Sequence, residues 1–314
     1  MKEKKYALGL ALSGGGAKGA AHCGVLQALH EFGLVPDKVA GTSAGSIAAA
    51  LFCAGLTPVE MSNLFINIDF KDLIGLGKPQ AGFFDQAPLV DYLRKVLPVR
   101  TFEELSIPCN VVACDLDKAR VTVFGRGELA PRIAASCSIP VFFKPMKLDG
   151  HTYVDGGLYK NLPVSVLRDD CEKVIAVSVQ GTPEGYKNTM LSVSLRVFHM
   201  MMKSNTLEEA KMSDIFIELD TSPYSPYDLG NIEKLFHLGY EETVRILQER
   251  GYERQMPPQP IKFDHRPAES SLREKLEKTA LYAKLNRLLE MQEAKIKKAP
   301  IKPIKNDTAT TEKK

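Results

Sequence analysis

The chain has 314 residues, 44% of them hydrophobic, and a formal net charge of +3. This length and apolar content are ordinary for a globular protein of one large or two modest domains. No stretch approaches the ~20 uninterrupted apolar residues of a transmembrane helix. The six cysteines form no C-x-x-C pair and no zinc-type cluster, so we interpret them as reduced core thiols of a cytosolic protein.

The first predicted element is a strand near Ala7–Leu12, followed by a glycine loop at 13–19 and a helix near Ala20–Glu31. The lysines before the strand, together with its apolar residues, resemble the start of a signal peptide. The apolar run is short, however, and the glycines follow it directly. We therefore interpret this run as the first core strand. Three consecutive glycines before a helix leave amide groups uncovered, and such a loop favours negative charge.

Two nucleotide-binding interpretations of this loop are weak. Gly14, Gly16 and Gly19 match G-x-G-x-x-G, but that motif also needs an acidic residue after the second strand, and Asp37 precedes it. A P-loop needs Ser or Thr where Ala20 stands. The remaining interpretation is an oxyanion hole, in which backbone amides stabilise a developing alkoxide. A nucleotide-binding protein, which belongs to a different functional class, stays the alternative. It predicts that NAD or ATP raises the melting temperature of the protein.

The second strand, near Lys38–Ala40, leads into Gly41-Thr42-Ser43-Ala44-Gly45 and a helix near Ala44–Cys53. A serine on a sharp strand-to-helix turn has its hydroxyl exposed, and close backbone approach favours glycine on both sides. The helix amino terminus adds unpaired amides near that hydroxyl. Ser43 is the candidate nucleophile, and a Gly/Ser turn without chemistry is the alternative.

Residues 65–84 mix many apolar side chains with glycine and proline. They predict either a buried connector or a mobile lid beside Ser43. The other elements up to residue 140 are helices near Pro58–Asn67, Ala87–Val96 and Ala130–Ser136, and strands near Asn110–Asp115 and Val121–Phe124.

A serine hydroxyl needs a group that takes its proton. The chain has six histidines, none in a setting typical of a base: His22, His30, His151, His199, His237 and His265. Asp155 is the better candidate, since it ends a predicted strand near Thr152–Val154 and precedes Gly156 and Gly157. An Asx turn is the alternative. Burial beside the serine would raise the pKa of this carboxyl from ~4.

Strands and helices continue to alternate to residue 249, which predicts an α/β fold with a mostly parallel central sheet and helices on both faces. The remaining predicted helices are near Pro163–Arg168, Ser192–Ala210 and Asn231–Glu249, and the remaining strands near Lys173–Val179 and Ile215–Leu219.

The carboxy-terminal part differs in composition. Residues 266–314 carry 13 Lys or Arg and 7 Asp or Glu, whereas the rest of the chain is mildly acidic. A proline-rich stretch after Gln255 predicts a linker, and leucines at helical spacing predict an amphipathic helix near Ser271–Ala294. We therefore divide the chain into a catalytic domain at 1–255, a linker and helical extension at 256–294, and a basic disordered tail at 295–314.

Taken together, these motifs resemble those of the patatin-like phospholipase family, in its bacterial form. The resemblance rests on Gly14-Gly15-Gly16-Ala17-Lys18-Gly19, Gly41–Gly45, Asp155-Gly156-Gly157 and the stretch 134–140, in the family's order. It implies a three-layer α/β/α fold and a Ser43–Asp155 dyad in place of a triad. It also implies an oxyanion hole and a set of supporting residues. The oxyanion residues are Gly14, Gly15, Gly16 and Ala44, and the supporting residues are Lys18, Gly19, Gly41, Gly45, Gly156 and Gly157. Many relatives have arginine at the position of Lys18. We interpret Lys18 as an anchor of the glycine loop.

The expected function is hydrolysis of lipid acyl esters through an acyl-serine, as in a phospholipase A or lysophospholipase. An acyltransferase or a neutral-lipid or general carboxylesterase with the same dyad is the alternative. The resemblance implies no metal, organic cofactor or nucleic-acid partner. We expect a cytoplasmic protein whose carboxy-terminal helix packs on the body or on a second copy in a homodimer. Peripheral membrane contact of that helix and the basic tail is the alternative.

Overall fold

A computed structural model describes residues 4–68, 70–76, 82–181, 185–186 and 188–265. The predicted helical extension near Ser271–Ala294 and the basic tail at 295–314 lie outside the described residues, as does part of the segment 65–84. Of the helices in these ranges, none combines the length and apolar character needed to cross a bilayer.

The described chain alternates strands and helices, as predicted. The strands are β1 (Tyr6–Leu12), β2 (Lys38–Thr42), β3 (Gly75–Leu76), β4 (Gly82–Asp85), β5 (Cys109–Asp115), β6 (Arg120–Phe124), β7 (Val141–Phe143), β8 (Met146–Leu148), β9 (His151–Asp155), β10 (Cys171–Ser178) and β11 (Ile215–Glu218). The helices are α1 (Ala21–Glu31), α2 (Ala44–Cys53), α3 (Pro58–Ile66), α4 (Ala87–Val96), α5 (Leu129–Ser136), α6 (Ser165–Arg168), α7 (Met190–Ala210) and α8 (Ile232–Glu249).

The central sheet has the strand order β11-β10-β1-β2-β5-β9-β8, with β6 paired to β5. Strands β11 to β5 in this order are parallel, whereas β6 and β9 each pair antiparallel with β5, and β8 pairs antiparallel with β9. Leu12 pairs with Gly41, and Thr42 with Val112, so β1, β2 and β5 end at one edge of the sheet. The expectation of a mostly parallel sheet is confirmed.

Both faces of the sheet are buried by helices. One face carries Leu10, Val39 and Ile175 into a core formed with α1–α5 and α8. The alternate residues Ala11 and Ala176 face a smaller core that includes residues 162–167, around α6. Because successive strand residues point to opposite sides, this alternation requires apolar residues at every position of the central strands. Their continuous apolar runs are therefore explained by burial.

A second, three-stranded sheet of order β3-β4-β7 is absent from the prediction. Its strands have only two to four residues, too few for a detectable alternation. Ile74, Phe84, Phe142 and Phe143 pack against Leu195 of α7 and form a separate core. The described part of segment 65–84 therefore belongs partly to a packed sheet, while its role as a lid stays a prediction.

Helices α1 and α8 approach each other closely through two glycines. A Cβ at Gly24 would lie 1.9 Å from the Phe236 carbonyl oxygen, and one at Gly239 would lie 2.1 Å from that of Ala21. Beyond α8, the chain returns to α1, where the Glu31 carbonyl accepts a hydrogen bond from the Gln255 amide. Residues 256–265, expected as a linker, lie against the body of the protein.

Candidate active site

Ser43 occupies a strained turn between β2 and α2. Its φ of 52° and ψ of −125° are rare for a residue with a side chain. A Cβ at Gly41 would lie 2.3 Å from the Gly45 carbonyl oxygen, and one at Gly45 would lie 2.3 Å from that of Leu12. Both glycines are therefore required by close backbone approach, and the turn presents the Ser43 hydroxyl at the carboxyl edge of the sheet.

We expect Gly45→Ala to destabilise the fold by about 3 kcal/mol, because the added methyl meets backbone that cannot move aside. Chemical denaturation of the purified variant measures this loss. Gly125→Ala is the matched control, since its nearest neighbour would be the side chain of Asn110. An equal loss in both variants would contradict the close-approach explanation.

Ser136, at the end of α5, holds the backbone of Ser43. The Ser43 amide donates to Ser136 Oγ at 2.8 Å, and the Ser136 hydroxyl donates to the Val112 carbonyl at 2.6 Å. The side chain thus links the turn to β5. The stretch 134–140 was included in the resemblance without a role for Ser136. A single sequence offers no sign that two segments 93 positions apart meet.

We expect Ser136→Ala to lower kcat on a soluble ester about tenfold or more with little change in KM, because the nucleophile loses its orientation. Two buried groups also lose their partners, which costs about 1–3 kcal/mol of stability each. Ser62→Ala is the control, since Ser62 is a buried serine that bonds to Pro58 within α3. Unchanged kcat in Ser136→Ala would show that the bond is dispensable for turnover.

Asp155 ends β9, next to β5, and is completely buried. Its Oδ1 accepts the Gly157 amide at 2.8 Å, whereas Oδ2 has no well-formed hydrogen bond within the described residues. Burial raises the pKa of this carboxyl to about 7, although the Gly157 amide and the Ser43 hydroxyl both lower it. The hydroxyl and the carboxyl are therefore neighbours, with geometry looser than a strict hydrogen bond.

The glycine loop lies beside Ser43. Gly15, Gly16 and Ala44 line the same cavity as Ser43 and Asp155, and within the described chain their amides have no acceptor. The Gly14 amide donates to the Asn161 carbonyl at 3.2 Å. The expected oxyanion donor at Gly14 is thus already engaged, whereas the other three amides are open to a ligand.

Lys18 and Gly19 tie this loop to the body. The Lys18 side chain is buried, and its ammonium donates to the Gly181 carbonyl at 2.7 Å. Burial lowers its pKa to about 8, against the opposing effect of Asp220. A Cβ at Gly19 would lie 2.6 Å from Ala44 Cβ, so the loop rests directly on α2. These contacts support an anchoring role for Lys18.

The other side of the loop is held by residues late in the chain. The Ala17 amide donates to the Pro226 carbonyl at 2.8 Å. The hydroxyl of Ser13 accepts the Val179 amide at 3.0 Å. The loop is therefore fixed by the residue that follows β10 and by the segment after β11, contacts that the sequence motifs did not indicate.

Histidine does not contact Ser43 through a hydrogen bond in the described part of the chain. His22 is buried, with Nε2 2.9 Å from the Ser13 carbonyl oxygen. His151 lies in β9 with Nδ1 3.3 Å from Asp115 Oδ2. His199, expected only to pack, lines the cavity, where burial lowers its pKa to about 4 and keeps it neutral.

The cavity above Ser43 is mainly apolar. The apolar side chains that line it come from separate elements: Ile47 of α2, Phe65 of α3, Leu89 of α4, Phe143 of β7 and Phe198 of α7. Such a wall is compatible with a hydrocarbon chain, and Ser43 and Asp155 line the same cavity. Leu73 and Ile74, from the segment 65–84, contribute to the same wall.

Comparisons with known proteins show which proteins this chain is similar to. A family model described as Patatin-like phospholipase matches residues 10–168. An uncharacterized NTE family protein of Mycobacterium tuberculosis is 33% identical over 180 residues, covering 56% of this chain and 50% of that protein. Neuropathy target esterase sws of Drosophila melanogaster is 29% identical over 252 residues, covering 77% of this chain and 17% of the fly protein. The chain thus spans half or less of the length of these relatives.

Among solved structures, VipD from Legionella pneumophila has a TM-score of 0.45 at 16% sequence identity, covering 78% of this chain and 67% of VipD.

Proposed function

Because this chain belongs to the patatin-like phospholipase family, we propose that it is a serine hydrolase that cleaves acyl esters of lipids. One observation carries the proposal. Ser43 stands on a strained turn beside the buried carboxyl of Asp155, with the unpaired amides of Gly15, Gly16 and Ala44 in the same cavity. Nucleophile, base and anion-binding donors are the parts that acyl transfer needs.

The reaction proceeds in two halves. Ser43 Oγ attacks the ester carbonyl carbon, and Asp155 accepts the hydroxyl proton. The carbonyl oxygen becomes an oxyanion held by the three amides, and its collapse breaks the bond to the alcohol, which takes the proton from Asp155. Water then attacks the acyl-serine, gives its proton to Asp155, and the acid leaves as Ser43 regains the proton. The hydrolysis consumes one water and leaves the enzyme unchanged.

The environment of Asp155 suits a general base. An exposed aspartate is a weak base at neutral pH, because its pKa lies near ~4. Burial raises the pKa of Asp155 to about 7, which increases its proton affinity while leaving a large ionised fraction near neutrality. Free Oδ2 is the atom available for the proton. This arrangement lets a carboxylate serve where His–Asp pairs serve in other hydrolases.

The cavity supports the proposed substrate class. Its apolar wall is compatible with an acyl chain, and the amides of Gly15, Gly16 and Ala44 in the same cavity are donors for a carbonyl oxygen. Lys18 donates to Gly181 and supports the loop, so it is assigned no contact with the substrate. The preferred headgroup and acyl position are properties to be measured.

A fluorophosphonate probe tests the proposal directly. The probe should phosphonylate Ser43 of the purified protein, with the site located by peptide mass spectrometry. Ser204→Ala, which removes an exposed serine of α7, should label normally, whereas Ser43→Ala should not. Labelling of another residue with Ser43 unmodified would overturn the proposal. Screening phospholipid, lysophospholipid and neutral-lipid esters, with and without an acceptor alcohol, then separates hydrolase from acyltransferase.

A further inference from the structure

Helix α7 has two apolar sides. Its inward side places Phe198 and Met202 in the wall of the cavity. Its outward side is a row at helical spacing, which we call the α7 outer face: Met190, Val193, Val197 and Met200. Val197 is 49% exposed and Met200 is 60% exposed, and the described part of the chain leaves this row open to solvent.

The charged side chains that α7 itself carries next to the outer face are positive. Arg196 and Lys203 lie seven positions apart, and therefore on the same flank of the helix. The helix contains no acidic residue before Glu208, near its end. An apolar row of about three turns with two cations on one flank is complementary to an anionic lipid surface, where apolar side chains enter the acyl region and cations meet headgroups.

The position of the helix adds a second argument. Single exposed apolar residues are common on soluble proteins, but a continuous exposed row signals an interaction surface. Here the same helix that presents the row also forms one wall of the cavity beside Ser43. A bilayer that contacts the α7 outer face would bring lipid substrate next to the helix that also lines the cavity beside Ser43.

We propose that the α7 outer face docks on an anionic phospholipid bilayer, with Val197 and Met200 inserted at the interface and Arg196 and Lys203 at the headgroups. The inference rests on the proposed function, because it supposes that the substrate is a membrane lipid. It assigns the membrane contact to α7, whereas the sequence had pointed to the extension near 271–294 and the basic tail.

Vesicle co-sedimentation of the full chain tests this assignment. Phosphatidylcholine vesicles with and without phosphatidylglycerol serve as probes, and the protein carries Ser43→Ala so that binding is measured without turnover. Val197→Glu should reduce binding to the anionic vesicles about tenfold, because it removes apolar burial and adds a repelled charge. Val35→Glu is the matched control, since Val35 is equally exposed and precedes the amino end of β2, opposite the site.

Each outcome decides the proposal. Loss of vesicle binding in Val197→Glu alone supports the proposal. The same substitution in the protein that retains Ser43 should leave hydrolysis of a soluble short-chain ester unchanged. Equal binding by Val197→Glu and Val35→Glu overturns it, as does loss of binding only in Leu281→Glu, which would assign the contact to the carboxy-terminal extension. A dimer in size-exclusion chromatography that Val197→Glu dissociates, without vesicle binding, would identify a self-association face instead. Failure of the proposed function would appear separately, as hydrolysis by Ser43→Ala.

Discussion

Replacing Ser43 with alanine should lower kcat on a p-nitrophenyl ester by about 10⁴-fold or more, because it removes the hydroxyl proposed to form the acyl intermediate. Alanine keeps the Cβ and the backbone bond to Ser136, so the turn retains its support. The thermal midpoint should therefore stay close to that of the wild type. Initial rates on a chromogenic ester and a thermal melt of the same preparation measure both effects.

The exposed-serine variant Ser204→Ala serves again as the reference for this experiment and should retain full activity. Any burst of p-nitrophenol seen in the wild type should disappear in Ser43→Ala, because the burst reports acyl-enzyme formation. Turnover comparable to that of the wild type in Ser43→Ala would mean that the strained turn has no chemical role, and the hydrolase described above would be wrong.

Replacing Asp155 with asparagine should be nearly as damaging as the loss of Ser43, because an amide accepts no proton from the hydroxyl. The isosteric side chain keeps an oxygen to accept the Gly157 amide, so the local turn persists. In the wild type, kcat/KM should rise with pH through about 7, where the buried carboxyl loses its proton. Asp155→Asn should lack this rise, as a pH–rate profile of both proteins would show.

His151→Ala is the control for this pair, and its rate should change little, since His151 pairs with Asp115 and is not part of the cavity wall. A severe loss in His151→Ala together with a mild one in Asp155→Asn would assign the base to histidine instead.

Asp155 also links activity to stability. In the unfolded chain its carboxyl has a pKa near ~4, whereas in the folded protein the value is about 7. Between these values the folded state holds a proton that the unfolded state has lost. The contribution of this group to stability is thus fully present below pH ~4 and is lost as the pH rises through about 7. At pH 8, Asp155→Asn should therefore melt at a higher temperature than the wild type.

The fold was largely predictable because its main elements are long and periodic. Strands β1, β2, β5, β10 and β11 and most helices lie within a few residues of their predicted positions. Their apolar runs reflect burial on both faces of the sheet, a local property that a sequence displays. The small sheet β3-β4-β7 escaped prediction because its strands are short and pair across more than fifty positions.

The candidate site was predictable in part, for a related reason. Ser43 and the glycine loop lie in short motifs whose geometry is local, and Asp155 stood out by its two following glycines. The role of Ser136, the engagement of the Gly14 amide and the position of His199 in the cavity depend on which segments pack together. Such contacts are set by tertiary packing, which one sequence does not display.

The glycine loop is attached to Val179, Gly181 and Pro226. These attachments affect the stage of synthesis at which the chain can become catalytically active. The family match ends at residue 168, before any of these three positions. A nascent chain that has emerged only to that point holds Ser43, Asp155 and the contacts of the loop with Asn161 and Ala44, but it lacks the contacts at Val179, Gly181 and Pro226. Reactivity should therefore arise late in synthesis, once the part of the polypeptide around Pro226 has left the ribosome.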